Sequence, residues 1–289
     1  MTTTKSGLVL GGVDGSELSD SVLDYAIWLS KKSSASLKLL HTIEHSHHSE
    51  QVGHEGNLTP NIKEHLLDEL SDEERLESKK LIADGKQILK DATDKAEAAG
   101  VTDLIAKQRH GSLPEALLDL QSQLSMVVLG SKGHDHEGQL HGLGGQLEDA
   151  IRVINKPIFI AKSGFKTPEK VMFAYNGSPT SHKALNLLAS MALFKQDLEI
   201  HVVSVQKNLS DAQNLIEDAQ SVLNDAGINM IGQAMTGEAV EALTHYQTTH
   251  GIDITVMGAF SHGKLHGFFF GSFTTQMLIE SNTQFLLVR

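Results

Sequence analysis

Two small α/β domains, each built on a doubly wound parallel sheet, are predicted for this chain of 289 residues. Three observations carry the prediction. Short apolar runs alternate with longer amphipathic stretches, four local motifs recur in the same order in the two halves, and the composition is that of a globular chain. Apolar residues make up 40% and charged residues 21%, enough to bury a core in each of two ordinary domains.

The apolar runs fall near 7–13, 37–43, 103–108, 126–129 and 158–161 in the first half, and near 171–175, 198–205, 229–234, 254–257 and 285–288 in the second. Each is short and rich in Leu, Val or Ile, as strands buried on both faces of a parallel sheet must be. Helical patterns lie between them. The longest is expected over 71–99, with Ser71 and Glu74 as a capping box and Leu81, Ile82, Ile88, Leu89, Ala92 and Ala96 on one face. Strands separated by helices imply βαβ units with helices on both sheet faces.

The repeats are specific. "LVLGGVDGSELSDSVLDYA" near the start matches "KVMFAYNGSPTSHKALNLLA" from Lys170: an apolar run ends at Asp14 or Asn176, Gly-Ser follows, and Ser19 or Ser181 precedes a helical pattern. "HGSLPEALLDL" from His110 matches "TGEAVEALTHY" from Thr236, "MVVLGSKG" from Met126 matches "ITVMGAFS" from Ile254, and "NKPIFIAK" from Asn155 matches "NTQFLLVR" from Asn282. The chain is therefore read as a duplication, with domains at 1–164 and 165–289. Landmarks Asp14 and Gly111 are farther apart than Asn176 and Gly237 by about 36 positions, which places an insertion in copy one. It corresponds to the His-rich and then acidic "EHSHHSEQVGHEGNLTPNIKEHLLDELSDEE", expected as a polar loop followed by an acidic stretch. The two copies are expected to pack as an intramolecular pseudo-dimer, because duplication covers the edge of each last strand. A further homodimer of whole chains is compatible with the sequence.

Composition also excludes classes. No window supplies the ~20 apolar residues of a membrane span, and "MTTTKSGLVLGGVDGS" lacks a secretory apolar core, so a cytoplasmic protein without a membrane partner is expected. With no cysteine there are no disulfides, thiol nucleophiles or thiolate zinc sites. A formal charge of -12 without a Lys/Arg run argues against nucleic acid.

In a doubly wound sheet the ligand crevice lies at the carboxyl ends of the strands where their order reverses. Two sequence elements belong there: the turns at Asp14-Gly15-Ser16 and Asn176-Gly177-Ser178, and the glycine loop after the fourth strand of each copy. Glycines there bring backbone N–H groups close to a ligand, and the following helix N-terminus adds unpaired donors that suit phosphate. The loop "GAFSHGKLHGFFFGSFTT" has three readings. A Walker A loop would use Gly258 and Gly263-Lys264, but Leu265 stands where Ser or Thr must hold Mg²⁺. A plain surface turn would use its glycines for backbone geometry alone. The third reading takes Gly258 with Gly271-Ser272, opening a helix near Ser272.

On these residues the chain resembles the universal stress protein family, whose nucleotide-binding members use Gly-x2-Gly-x9-Gly-Ser/Thr for the phosphates and ribose of ATP. The resemblance spans nearly the whole chain twice and implies a tandem, Rossmann-like adenine-nucleotide-binding protein. It implies binding residues Asn176, Gly258, Ser261, Gly263, Gly271 and Ser272 in copy two, and Asp14, Gly130, Gly133, Gly144 and Gly145 in copy one. Asp14 and Asn176 would lie beside the adenine. Ser261 replaces the middle glycine of copy two. In copy one ten residues precede Gly144 and Gly145 replaces the hydroxyl, while Asp135 and Glu137 sit where a triphosphate would meet repulsion. These departures favour copy two as the nucleotide site. The implied ligand is ATP or another adenine nucleotide, which Mg can accompany.

Other residues keep two readings. Lys264, His262 and His266 either meet phosphate or are solvated, and Phe268, Phe269 and Phe270 either cover a ligand or anchor the loop. Asp14 can also cap the following helix. His45, His47, His48 and His54, with His134 and His136, lack the spacing of a metal site, and no metal site from protein ligands is expected. Nothing in the spacing pairs a nucleophile with a base, so a regulatory binder is expected rather than an enzyme, slow ATP hydrolysis aside. A non-nucleotide or partner-docking module and an adenylyl-transfer or hydrolytic relative are the alternatives on the same fold.

Overall fold

The computed structural model describes residues 6–44, 60–132, 144–195, 197–259 and 272–289. Copy one runs β1 (Ser6–Gly12), α1 (Ser19–Ser33), β2 (Ala35–Ile43), α2 (Pro60–Ala98), β3 (Leu104–His110), α3 (Leu113–Leu120), β4 (Leu124–Gly130), α4 (Gly145–Val153) and β5 (Ile158–Ala161). Copy two repeats the order with β6 (Lys170–Ala174), α5 (Pro179–Ser190), β7 (Glu199–Gln206), α6 (Leu209–Asp225), β8 (Met230–Thr236), α7 (Ala239–His250), β9 (Ile254–Gly258), α8 (Ser272–Glu280) and β10 (Gln284–Val288). A short 3₁₀ turn, Ala192–Lys195, precedes β7. All ten strands read from the sequence are present.

The strands form one sheet of order β3-β2-β1-β4-β5-β10-β9-β6-β7-β8. Every pairing is parallel except β5 with β10, where Phe159 lies opposite Leu286, flanked by Ile158 opposite Leu287 and Ile160 opposite Phe285. Phe159 and Leu286 hold equivalent positions in the two copies, so the seam lies on a pseudo-two-fold axis. The expected pseudo-dimer is thus a continuous ten-stranded sheet. Alternate residues feed two cores. Val9, Phe159, Phe173 and Leu286 belong to the layer that includes α1, α2, α5 and α6, and Leu10, Ile160, Met172 and Phe285 belong to the layer that includes α3, α4, α7 and α8.

Helix formation follows local chemistry where the caps are visible. Ser112 accepts from the Glu115 amide, and the Glu115 carboxylate accepts from the Ser112 amide, a complete capping box for α3. Its counterpart α7 is capped by Glu238, which accepts from the Glu241 amide. In α2 the expected buried face is present, with Leu89, Ala92 and Ala96 in the core. The expected start is corrected. The helix begins at Pro60, so Ser71 is an interior position and not an N-cap. Pro is tolerated at a first helical position and no Gly or Pro interrupts 61–71, so helix-forming Leu, Glu and Lys extend the element toward its N-terminus. α2 is 39 residues long against 17 for α6. The later part of the insertion, 60–74, which includes the expected acidic stretch, is therefore helix, and its His-rich part, 45–59, lies outside the described residues.

The segment joining the copies is tied down at both ends. Phe165 meets Tyr25 edge-on at 4.9 Å between ring centroids. Asp253 accepts from Lys166 Nζ at 2.9 Å and from the backbone N–H groups of Glu169 and Lys170 at 2.8 and 3.0 Å. Burial pushes the Asp253 carboxyl up, but those hydrogen bonds outweigh it and hold its pKa below the ordinary carboxylate value.

Two outcomes are expected. Phe159→Ala, at the seam and 1% exposed, should cost about 3–5 kcal/mol in urea unfolding. For Asp253 the folded pKa lies below the unfolded one, so its stabilisation is complete above the unfolded value of about 3.9 and is lost as pH falls through the folded value. The stability gap between wild type and Asp253→Asn should stay level from about pH 5 to 7 and narrow below about pH 4.

Candidate functional site

A cleft of about 420 Å³ opens at the carboxyl ends of the copy-one strands. Strand order reverses between β1 and β4, since β1 neighbours both β2 and β4, and the cleft lies at that switch point, as the fold requires of a ligand site. Its floor is the turn after β1. Asp14 Oδ1 accepts from the Ser16 amide at 3.0 Å, while the amides of Asp14 and Gly15 both donate to Ser19 Oγ at 3.2 Å. Gly15 has φ +78°, and a Cβ there would stand 2.8 Å from Ile88 Cδ1. A side chain at this position would be strained and would push into α2. Asp14 does not cap α1. The N-cap position is Leu18, without a side-chain hydrogen bond, and Asp14 closes the turn instead.

The glycine-loop side is formed by Gly130 at the end of β4 and by the first turn of α4. Gly144 is the N-cap of α4, its amide donates to the Ser131 carbonyl at 3.1 Å, and Gly145 is the first helical residue. Gly144 and Gln146 line the cleft beside Lys132. First-turn amides have no partner within their helix, so this wall offers donors to an anion.

Sequence reasoning missed the opposite wall, which is made by Thr42, Ile43 and Glu44 at the end of β2 and by Leu81, Asp84 and Gly85 of α2. His41 Nδ1 lies 2.8 Å from the Val13 carbonyl oxygen. A Cβ on Gly85 would come within 2.7 Å of His41 Nε2 and 2.2 Å of Gln108 Nε2, so α2 can lie this close only with glycine there. A glycine inside a strong helical pattern was the available signal.

The equivalent turn in copy two has the same geometry with different contents. Ser178 donates its amide to Asn176 Oδ1 at 3.1 Å and caps α5 through the Ser181 amide. Register equates Leu40 with Val203 and His41 with Ser204. The repeat equates Val13, which lines the copy-one cleft, with Tyr175. Tyr175 is 1% exposed, lies 5.4 Å from Phe173 between ring centroids and shares a 2.9 Å hydrogen bond with His182 Nδ1 of α5, a larger buried side chain where copy one has Val13. Gly258 ends β9 against the first turn of α5: a Cβ there would meet Ser181 N and Thr180 C at 2.5 Å. Ser272 is the first residue of α8.

Asp14, Gly130, Gly144 and, adjoining them, Gly145 are thus brought together, and Asn176, Gly258 and Ser272 occupy the corresponding places in copy two. Gly133, Ser261, Gly263 and Gly271 lie outside the described residues, as do Asp135, Glu137, His262, Lys264, His266 and the Phe268–270 run. So do the histidines at 45, 47, 48, 54, 134 and 136. Among the described residues no group of three or more His, Asp or Glu side chains is arranged to hold a metal, and no helix is long and apolar enough to cross a membrane.

The fold and cleft define a tandem α/β protein with a ligand crevice at a strand switch point. The family model described as "Universal stress protein family" matches residues 7–162, and the chain belongs to that family of stress-response proteins. It is 31% identical over 280 residues to Universal stress protein Slr1230 of Synechocystis, covering 96% of this chain and 97% of that one. It is 29% identical over 133 residues to Universal stress protein YxiE of Bacillus subtilis, covering 43% of this chain and 78% of that one. Among solved structures, a universal stress protein of Archaeoglobus fulgidus superposes with a TM-score of 0.72 at 19% identity, with 98% of each chain covered. A universal stress protein of Pseudomonas aeruginosa gives 0.61 at 15%, covering 97% of this chain and 92% of that one. Both structural likenesses concern the fold.

The contact at Gly258 is backbone against backbone, so its requirement is steric before it is functional. Gly258→Ala should lower stability by about 1–3 kcal/mol in chemical denaturation without any ligand, and an unchanged midpoint would show that the glycine is needed only by the loop.

Proposed function

We propose that this protein binds ATP or a related adenine nucleotide and acts as a regulatory stress-response protein whose state depends on occupancy. The observation that carries the reading is the copy-one cleft. It has the position of a nucleotide crevice and a size within the range of small-molecule sites, and it joins the N-terminus of α4, whose first-turn amides suit an anion, to the closed turn at Asp14-Gly15-Ser16. Family membership supports the ligand class. The Asp14 turn and the β2 end would flank the base, and Gly130 with the first turn of α4 would receive the phosphates. Asp14, Glu44 and Asp84 all line this cleft, so a polyphosphate would enter best with Mg neutralising part of its charge.

Copy two remains the second candidate, through Asn176, Gly258 and Ser272, with Ser261, Gly263 and Gly271 completing it. The open cleft favours copy one as the occupied site, while Ser272 favours copy two. We take the domains as 1–164 and 165–289, the location as cytoplasmic and the role as holding nucleotide rather than turning it over. Magnesium-dependent phosphate release above background would overturn that last point and move the reading to a hydrolase.

The decisive experiment denatures freshly purified protein, identifies released small molecules by mass spectrometry and counts them per chain, alongside a thermal shift with ATP. Ligand at about 100 times its Kd should stabilise the chain by about 2.7 kcal/mol. Val13→Tyr, which copies the copy-two residue, should fill the cleft and remove the copy-one share of that shift. An unchanged shift would assign the nucleotide to copy two. No nucleotide and no shift would turn the reading to a module for another ligand or a partner.

A further inference from the structure

The last strand of each copy is followed by a basic residue at an equivalent position, Lys162 after β5 and Arg289 after β10. Each reaches into the other copy. Lys162 Nζ donates to the carbonyl oxygens of Leu278 and Ser281 at the C-terminal end of α8. Arg289 Nη1 donates to the carbonyl oxygens of Ile151 at 3.3 Å and Arg152 at 2.5 Å, at the C-terminal end of α4. Carbonyls in the last turn of a helix lack intrahelical partners and carry the negative end of the helix dipole, so a cation there is favourable. These two helices are the ones whose N-termini carry Gly144-Gly145 and Ser272. Each is only nine residues long, so holding one end limits movement of the other.

We propose that the two candidate anion sites regulate each other through these crossed cations: the helix that faces the ligand in one copy is positioned by the terminal basic residue of the other. The regulatory consequence rests on the nucleotide reading above, whereas the crossed caps do not. Arg289 is a positioning residue for the copy-one cleft, although it belongs to copy two. Lys162 has the reciprocal role toward α8. A charge link works in the same direction. Burial first, and then the Lys132 cation, pull the Lys162 pKa down to about 8, and Lys132 lines the copy-one cleft. Lys132 thus couples the copy-one cleft electrostatically to the residue that holds α8.

The test is hydrogen–deuterium exchange on the full chain, without ligand and across an ATP titration, for Arg289→Met, Arg289→Lys, Lys162→Met and Lys162→Arg. Without ligand, Arg289→Met should speed exchange of the α4 amides about three- to tenfold and leave α8 unchanged, and Lys162→Met should do the reverse. The two conservative variants, each borrowing the cation of the other copy, should restore most of the protection. In the titration Arg289→Met should weaken ATP protection at 14–16 and 42–44 about three- to tenfold, with partial rescue by Arg289→Lys. Loosening of both helices by either variant, or of the helix in the variant's own copy, would overturn the crossed caps. Correct caps with unchanged ATP protection in Arg289→Met would overturn the regulation alone. If ATP protects nothing in wild type, the nucleotide reading fails and takes the regulation with it, while the ligand-free arms still decide the caps. Should Arg289→Met not fold, Arg289→Gln replaces it in every arm.

Discussion

The antiparallel pairing of β5 with β10 is the constraint on which the rest depends. A doubly wound sheet of five strands ends at an edge whose backbone groups must find partners. Here each copy supplies the other with that partner. The central pair, Phe159 opposite Leu286, lies between two apolar layers, so hydrophobic burial and ladder hydrogen bonds specify the same register. The junction also decides what can cross it. Lys162 and Arg289, directly after these strands, donate hydrogen bonds to carbonyls at the C-terminal ends of the opposite copy's last helices.

Within that symmetric frame the copies have diverged in their crevices. The turn after the first strand keeps its geometry in both, with Gly15 at φ +78° and Gly177 at φ +72° and an acceptor at Asp14 or Asn176. The neighbouring side chains are not kept. Tyr175, bonded to His182 of α5, stands where copy one has Val13, and Gly85 lets α2 approach His41 where the sheet of copy two presents Ser204. A duplicated fold can thus keep the backbone of a turn while the side chains around it change.

The outer edges show a related divergence. β3 carries Lys107, Arg109 and His110, whereas β8 has no charged residue over Met230–Thr236. Arg109 is held by Asp119 of α3. Charged side chains on an edge strand discourage unwanted pairing, and copy one has this protection where copy two does not.

The duplication and the pseudo-dimer were legible in the sequence, because a repeated motif order records itself in any alignment of the halves. The eight inner strands were legible because buried parallel strands must be apolar runs, and the largely exposed edge strands β3 and β8 through their place in the strand–helix alternation. That Asp14, Gly130 and Gly144 meet at one end of the sheet was legible because turns and helix starts at strand ends need particular residue types. The extent of α2 was not legible, since Ser71 and Glu74 have the form of a cap and only the helical path before them removes that role. Thr42, Glu44 and Asp84 could not be recognised either, as no local pattern marks a residue whose importance comes from what packs opposite it. The sequence by itself determined the fold class and the elements that meet at the crevice, because periodicity and backbone conformation are local properties. Only the tertiary structure decided that α2 packs Gly85 against His41 beside the cleft, and that Lys162 and Arg289 cross between copies. Volume and reach depend on distances between residues far apart in the chain.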